Sequence, residues 1–258
     1  MNRELLAAIN LYVSRMTEDV IGMIFSDAHD ADVICDVPSG EELQDYLAEV
    51  KDRLGDKVDP PGKIFFYTPL ITCDSVENLI EQYLGDDYFK EIIISIALFR
   101  NQDVLSVSAD NVAIDGTSPG IHLNIFLTPE TNLDDKNLLD EVGNSIRHEF
   151  EHFLQEDHPS ILNYLEYHKI FCPVARNPSA FFLYLVQPAE VSAHVRGYEH
   201  TSKNYDDFFK SIDNLFDMYR QKNILTESEI SNVTTCWEDW FLRNTYLSVP
   251  SSQGEDHV

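Results

Sequence analysis

The segment 148–152 reads His-Glu-Phe-Glu-His and holds two imidazoles four positions apart, with a carboxylate directly after the first. If the segment is helical, His148 and His152 lie one turn apart on the same face. Two imidazoles so placed can bind one zinc ion, and Glu149 beside them can reach a water molecule on that ion. The spacing therefore predicts a metal-binding helix with Glu149 as general base.

The residues around this motif predict how its helix is oriented. Apolar side chains recur about 120° to 200° around the helix from the first histidine. These residues are Leu139, Val142, Ile146, Phe150 and Phe153. We expect that side to pack into the core while the histidines face a cleft. The competing interpretation is a solvated helix with two ordinary histidines.

A catalytic zinc site uses three protein ligands and leaves one position for water. Glu190 is the favoured third ligand, because Pro188 suits the first turn of a helix from which Glu190 would project. His158 is the rival, since its spacing matches the H-E-x-x-H-x-x-G-x-x-H signature. That signature requires a glycine where this chain has Gln155. Weaker alternatives are His194 and His200.

The elements that must position these residues follow from the hydrophobic periodicity. Helical spacing recurs over about 2–24, 43–54, 75–84, 133–157, 160–170, 188–198, 204–222 and 226–245. Strand-like runs occupy 63–67, 92–99, 104–107, 112–114 and 121–128. The last helix opens with a capping box, Thr226-x-x-Glu229. A mixed sheet followed by helices is an α+β arrangement.

The strongest break in the pattern is Asp-Pro-Pro-Gly at 59–62, because two prolines and a glycine stop a helix. We therefore predict a helical N-terminal extension over residues 1–61 and a second domain over 62–258.

The net charge of the chain limits the classes of partner that it can bind. There are 18 Lys and Arg against 45 Asp and Glu, a net charge of −27. Because such a surface repels phosphates, we expect neither direct nucleic-acid binding nor membrane association. No run approaches the roughly 18 apolar residues of a membrane span. The four cysteines contain no C-x-x-C pair, which favours reduced, mostly buried thiols and a cytoplasmic protein.

The H-E-x-x-H segment and the later Pro-x-Glu-x-x-Ala segment at 188–193 together resemble zincin metallopeptidases of gluzincin type, particularly their small, divergent phage and bacterial members. The resemblance implies a zincin-like domain, in which a small mixed sheet packs on the active-site helix and a helical region follows. In that family the strand before the active-site helix forms a sheet edge that binds extended substrate. Residues 121–128 occupy that place here.

The resemblance also implies roles for individual residues. His148, His152 and Glu190 would hold Zn²⁺, and a peptide or protein substrate would be hydrolysed by a metal-activated water with Glu149 as base. Two features depart from the family pattern. The gap from His152 to Glu190 is longer than in compact members, and His194 stands where an acid usually supports the third ligand.

The tetrahedral oxyanion formed in peptide hydrolysis needs a hydrogen-bond donor besides the metal. His194 and Tyr198 follow Glu190 at successive spacings of four, which places all three on one helix face. We nominate His194 and Tyr198 as that donor pair. The alternative for each is a packing or supporting role beside the ligands.

Two other functions fit the same composition. One is an acidic interaction or structural protein that keeps the zincin scaffold without catalysis. The other is a nucleic-acid mimic that blocks basic proteins, which a net charge of −27 would suit.

Overall fold

The computed structural model describes residues 3–25, 63–67, 92–100, 102–114, 118–155 and 178–247. Within these ranges the chain is a mixed α+β protein with six helices and four strands. It divides into two compact units, Met1–Glu149 and Phe150–Val258.

The first unit contains one long helix, a four-stranded sheet and most of a second helix. Helix α1 spans Arg3–Phe25, and the strands are β1 (Lys63–Tyr67), β2 (Ile93–Phe99), β3 (Ser106–Ile114) and β4 (Ser118–Phe126). Helix α2 spans Lys136–Gln155. The strand order is β1-β2-β4-β3, with β2 and β4 parallel and both outer pairs antiparallel.

Strands β2 and β4 are buried because they lie in the middle of the sheet. One face carries branched apolar side chains, as in parallel strands covered on both sides. The buried members are Ile94, Ile96, Leu98, Ile121, Leu123 and Ile125. The other face buries a polar network in which His122 contacts Ser95 Oγ at 2.8 Å and Asn124 Oδ1 at 3.2 Å. This network satisfies the polar groups that the interior would otherwise leave without partners.

The prediction that residues 121–128 form the substrate-binding edge is wrong. Strand β4 pairs with β2 on one side and with β3 on the other, so it lies inside the sheet. Among the described strands the sheet ends at β3 on this side. Strand β3 begins at Ser106 and joins the two short strands predicted at 104–107 and 112–114 into one. Its polar middle residues keep the backbone pairing with β4 although they interrupt the apolar pattern.

Helix α1 is buried along most of its length within the first unit. Its buried residues include Leu5, Ile9, Met16 and Val20, which recur at helical spacing as predicted. Two arginines attach it to its neighbours: Arg100 donates to the Ile24 carbonyl at 3.0 Å, and Arg147 Nε donates to Asn10 Oδ1 at 3.2 Å. Arg147 lies on α2 and is fully buried, so it fixes α1 beside the helix with the histidine motif.

Beyond α2, the regular elements described in the second unit are all helices. It contains α3 (Pro178–Leu185), α4 (Pro188–Thr201), α5 (Tyr205–Gln221) and α6 (Glu227–Asn244). The predicted capping box at Thr226 and Glu229 is confirmed. Trp237 and Phe241 are both fully buried in an aromatic core. The Trp237 indole donates to the Leu185 carbonyl at 3.0 Å and joins α6 to α3.

Several predictions fall on residues outside the described ranges. They are the helices at 43–54, 75–84 and 160–170, the domain boundary at residues 61 and 62, and the alternative ligand His158. These stay predictions.

Two further expectations concern the surface of the chain. Across the described ranges, no helix combines the length and apolarity that crossing a membrane would demand. Cys236 is a free and exposed thiol, so the expectation of a buried cysteine is wrong at this position. It lies on α6 next to Trp237, and the neighbouring residue takes the core position.

Candidate metal centre

The last two turns of α2 present His148 and His152 one turn apart, as their spacing predicts. The opposite side of the helix is apolar, with Val142, Ile146 and Phe150 fully buried. The two histidines are themselves buried, at 8% and 9% exposure. They are therefore not ordinary surface histidines, because a buried imidazole needs hydrogen bonds or a metal for its nitrogens.

Helix α4 supplies the carboxylate of Glu190 from its first turn. Pro188 stands at the start of the helix, where a missing backbone N–H costs nothing. Glu190 follows two residues later and has no solvent exposure. Its Oε1 lies 3.6 Å from Nε2 of His152. Its place near the helix N-terminus favours the negative charge through the helix dipole.

The structure brings His148, His152 and Glu190 together as one buried group. A ligand atom from each lies within 4.8 Å of the others. Two ligand atoms around a tetrahedral zinc are about 3.4 Å apart, given metal–ligand bonds of about 2.1 Å. The 3.6 Å between His152 and Glu190 is close to that value. Two imidazoles and a carboxylate are also a donor set that zinc accepts, so this group could bind a metal ion.

Glu149 is held beside the histidine pair. It is buried, and its Oε1 lies 3.8 Å from Nε2 of His148. Its backbone carbonyl accepts a hydrogen bond of 3.4 Å from the Asn111 side chain on strand β3. The turn that contains Glu149 is thus attached to the outer strand of the sheet within the first unit.

His194 lies one turn after Glu190 on α4, with Nε2 at 4.0 Å from Oε2 of Glu190. Its ring stacks on Trp237 at 4.9 Å between centroids and meets Tyr184 edge-on at 6.2 Å. Glu190, His194 and Trp237 therefore form a continuous path from the ligand group to the aromatic core. The predicted role as oxyanion donor stays a prediction, and the geometry adds a supporting contact to Glu190.

Tyr198 packs on the aromatic core. Its ring centroid lies 6.3 Å from that of Trp237, and its carbonyl accepts from Ser202 Oγ at 2.6 Å. This surrounding gives Tyr198 a packing role, and its part in catalysis stays a prediction. The alternative ligand His200 is half-buried in the last turn of the same helix.

Gln155 is a contact residue that the sequence interpretation missed. Its side chain lies 3.0 Å from Nδ1 of His152 and also donates to the Ala189 carbonyl at 3.1 Å and to Ser192 Oγ at 2.5 Å. In the sequence this position stands out only because it lacks the glycine of the H-E-x-x-H-x-x-G-x-x-H signature. Its position three residues after His152 was the available signal, since i and i+3 side chains meet on a helix.

No protein-family model, curated protein or solved structure matches this chain. The resemblance to zincins stays a prediction from the residues of the two motifs.

Proposed function

We propose that the protein is a zinc-dependent metallopeptidase of the zincin type. The observation that supports this best is the buried group of His148, His152 and Glu190, whose ligand atoms lie within 4.8 Å of one another. Glu149, next to the first histidine, supplies the acid–base group that peptide hydrolysis requires. The mixed sheet beside α2 is compatible with a zincin-like fold.

In the proposed mechanism the two histidines and Glu190 hold the metal. Zinc bound there would supply a Lewis acid and would lower the pKa of a water toward about 7. Glu149 accepts the proton of the attacking water and returns it to the leaving amine. His194 donates to the developing oxyanion or, through its contact with Glu190, holds the third ligand in place.

We propose that the substrate lies along strand β3 in an extended conformation. This strand forms the outer side of the described sheet, and an outer strand offers backbone N–H and C=O groups to a peptide. The hydrogen bond from Asn111 to the Glu149 carbonyl links this strand to the turn that contains the base. A peptide added to β3 would thereby lie next to the helix that carries Glu149.

The proposal extends to the cellular compartment of the protein and to its binding partners. We place the protein in the cytoplasm, where four cysteines without a paired spacing would stay reduced. A net charge of −27 makes nucleic acids and anionic membranes poor partners and leaves a peptide or protein as the substrate.

One observation favours a second function. The net charge of −27 is high for a chain of 258 residues and suits an acidic interaction protein that keeps the scaffold without catalysis. Such a protein would bind a basic partner whether or not zinc is present.

Metal analysis combined with a cleavage assay tests the proposal. We expect about one zinc per chain, loss of zinc in His148→Ala, and retention of zinc with loss of cleavage in Glu149→Gln. Cleavage is measured by mass spectrometry on a peptide library. The matched control is Glu141→Gln, the same change at an exposed position on α2. Metal-free wild-type protein, or full activity in Glu149→Gln, would contradict the proposal.

A further inference from the structure

Gln155, the last residue of α2, contacts both ligand-bearing helices of the candidate metal centre. At one end its amide lies 3.0 Å from Nδ1 of His152. At the other end it donates to the Ala189 carbonyl at 3.1 Å and to Ser192 Oγ at 2.5 Å. Ala189 and Ser192 stand on either side of Glu190 in the first turns of α4. One side chain therefore contacts both the candidate ligand His152 and the residues on either side of the candidate ligand Glu190.

The orientation of this amide follows from the chemistry of its partners. The Ala189 carbonyl can only accept a hydrogen bond, so the NH₂ group of Gln155 must face it. The amide oxygen then faces His152 and can only accept. Nδ1 of His152 must therefore carry the proton, which leaves the lone pair on Nε2. Nε2 is the atom that lies 3.6 Å from Glu190 Oε1.

We propose that Gln155 is a positioning residue of the metal centre. Its oxygen selects the tautomer of His152 that offers Nε2 to a metal, and its NH₂ group fixes the first turns of α4, which bring Glu190 to the same place. Groups that orient a ligand in this way usually change metal affinity by about 10- to 100-fold when they are removed. This inference depends on the metal site of the proposed function and is independent of peptide hydrolysis.

The central experiment measures zinc affinity at fixed pH by competition with a chromophoric chelator. Gln155→Met keeps the length of the side chain and removes its hydrogen bonds, so we expect zinc affinity to fall by about 10- to 100-fold. Gln221→Met is the matched control, since it makes the same change at an exposed position at the end of α5 and should leave affinity unchanged. Circular dichroism and thermal unfolding establish that each variant is folded.

Two more variants separate the halves of the proposal. Gln155→Glu keeps an acceptor for Nδ1–H, so we expect the His152 tautomer of the wild type to be retained in this variant. Ser192→Ala removes one contact to α4, and we expect a smaller loss. Long-range ¹H–¹⁵N spectra of the histidine rings report the tautomer in the metal-free protein. We expect Nδ1–H in wild type and a mixture of tautomers in Gln155→Met.

The outcomes are distinct. Wild-type protein that binds no zinc would remove the metal site and this inference with it. Tight binding by wild type together with equal binding by Gln155→Met would overturn the inference and leave the metal site standing. Wild-type affinity in Ser192→Ala would overturn the part of the proposal that concerns α4. An unchanged His152 tautomer in Gln155→Met would overturn the part that concerns the imidazole.

Discussion

Helix α4 has a fully buried carboxylate near each end, and the two carboxylates have different surroundings. Glu199, near the C-terminus, forms an ion pair with Arg196 and accepts hydrogen bonds from Thr245 Oγ1 at 2.6 Å and the Tyr246 amide at 2.9 Å. Near the N-terminus, Glu190 faces imidazole nitrogens at 3.6 and 4.0 Å.

The comparison distinguishes a structural acid from a candidate ligand. Burial alone does not, because both residues are 0% exposed. The donors around Glu199 belong to fixed protein groups at hydrogen-bond distance, and they attach the segment after α6 to α4. The His152 imidazole stands 3.6 Å from Glu190, close to the separation of two ligand atoms on one metal ion. The kind and distance of the partners therefore give the stronger indication of function.

Removing the structural acid should have the largest effect on stability. In Glu199→Ala, Arg196 is left buried without its carboxylate, so we expect the free energy of unfolding to fall by about 3–5 kcal/mol. Urea denaturation measures this value. The double variant Arg196→Met/Glu199→Met, which removes both charges, should recover most of the loss. A loss below about 1 kcal/mol in the single variant would mean that Glu199 is not the structural acid described here.

Replacing the candidate ligand should act on zinc rather than on folding. We expect Glu190→Gln to lower zinc affinity by more than about 100-fold, since even groups that only orient ligands contribute up to that amount. The metal-free variant should be no less stable than wild type, because the change removes a buried charge. Glu199→Gln is the matched control: it makes the same change about 13 Å further along the helix axis and should keep full zinc affinity. Equal affinities in the two variants would erase the distinction between the two ends of α4.

Removing the metal should lower the stability of the wild-type protein. At free zinc 100 times the dissociation constant, zinc should raise the free energy of unfolding by about 2.7 kcal/mol. At the same zinc concentration the gain in Glu190→Gln should be below about 0.4 kcal/mol, because its dissociation constant is at least 100-fold higher. Urea titrations with zinc or with a chelator measure both values. Magnesium, which prefers oxygen ligands, serves as the control ion, and an equal gain with magnesium would argue against a zinc site.

The smallest effect is expected at the start of α6, far along the chain from either carboxylate. Hydrogen bonds from the Thr226 backbone and hydroxyl hold the pKa of Glu229 below its ordinary value. Their contribution is therefore present above the ordinary carboxyl pKa and is lost as the pH falls through the lowered one. We expect Thr226→Ala to lose about 1 kcal/mol at pH 7 and less at pH 3. Thr235→Ala, an exposed change on the same helix, is the control, and an equal loss there would contradict a capping effect.

Local features of the fold and site could be predicted from the sequence. The apolar spacing predicts helix α2, and Pro188 predicts the start of α4. The spacing of four residues alone predicts that His148 and His152 share one helix face. Helix α3 was not predicted, because its run Phe-Phe-Leu-Tyr-Leu is apolar on every side and shows no helical period.

Features that depend on distant pairing could not be predicted in the same way. Strand β4 lies inside the sheet because it pairs in parallel with β2, which lies about 25 residues earlier in the chain. The residue pattern of β4 does not show which strand it pairs with. The contacts of Gln155 with Ala189 and Ser192 likewise join residues more than 30 positions apart. A hydrogen bond of this kind depends on how two helices pack together, and the hydrophobic periodicity of either helix does not predict it.

The stacking of His194 on Trp237 has an optical consequence. The chain contains two tryptophans, and Trp237 is the fully buried one, with its indole 4.9 Å from an imidazole that stands beside Glu190. A metal ion bound by the Glu190 carboxylate would change the electric field at that imidazole. The fluorescence emission of the neighbouring indole would change as a result. With Trp240 replaced by Phe, the fluorescence of one intrinsic chromophore would follow metal loading in real time without an added dye.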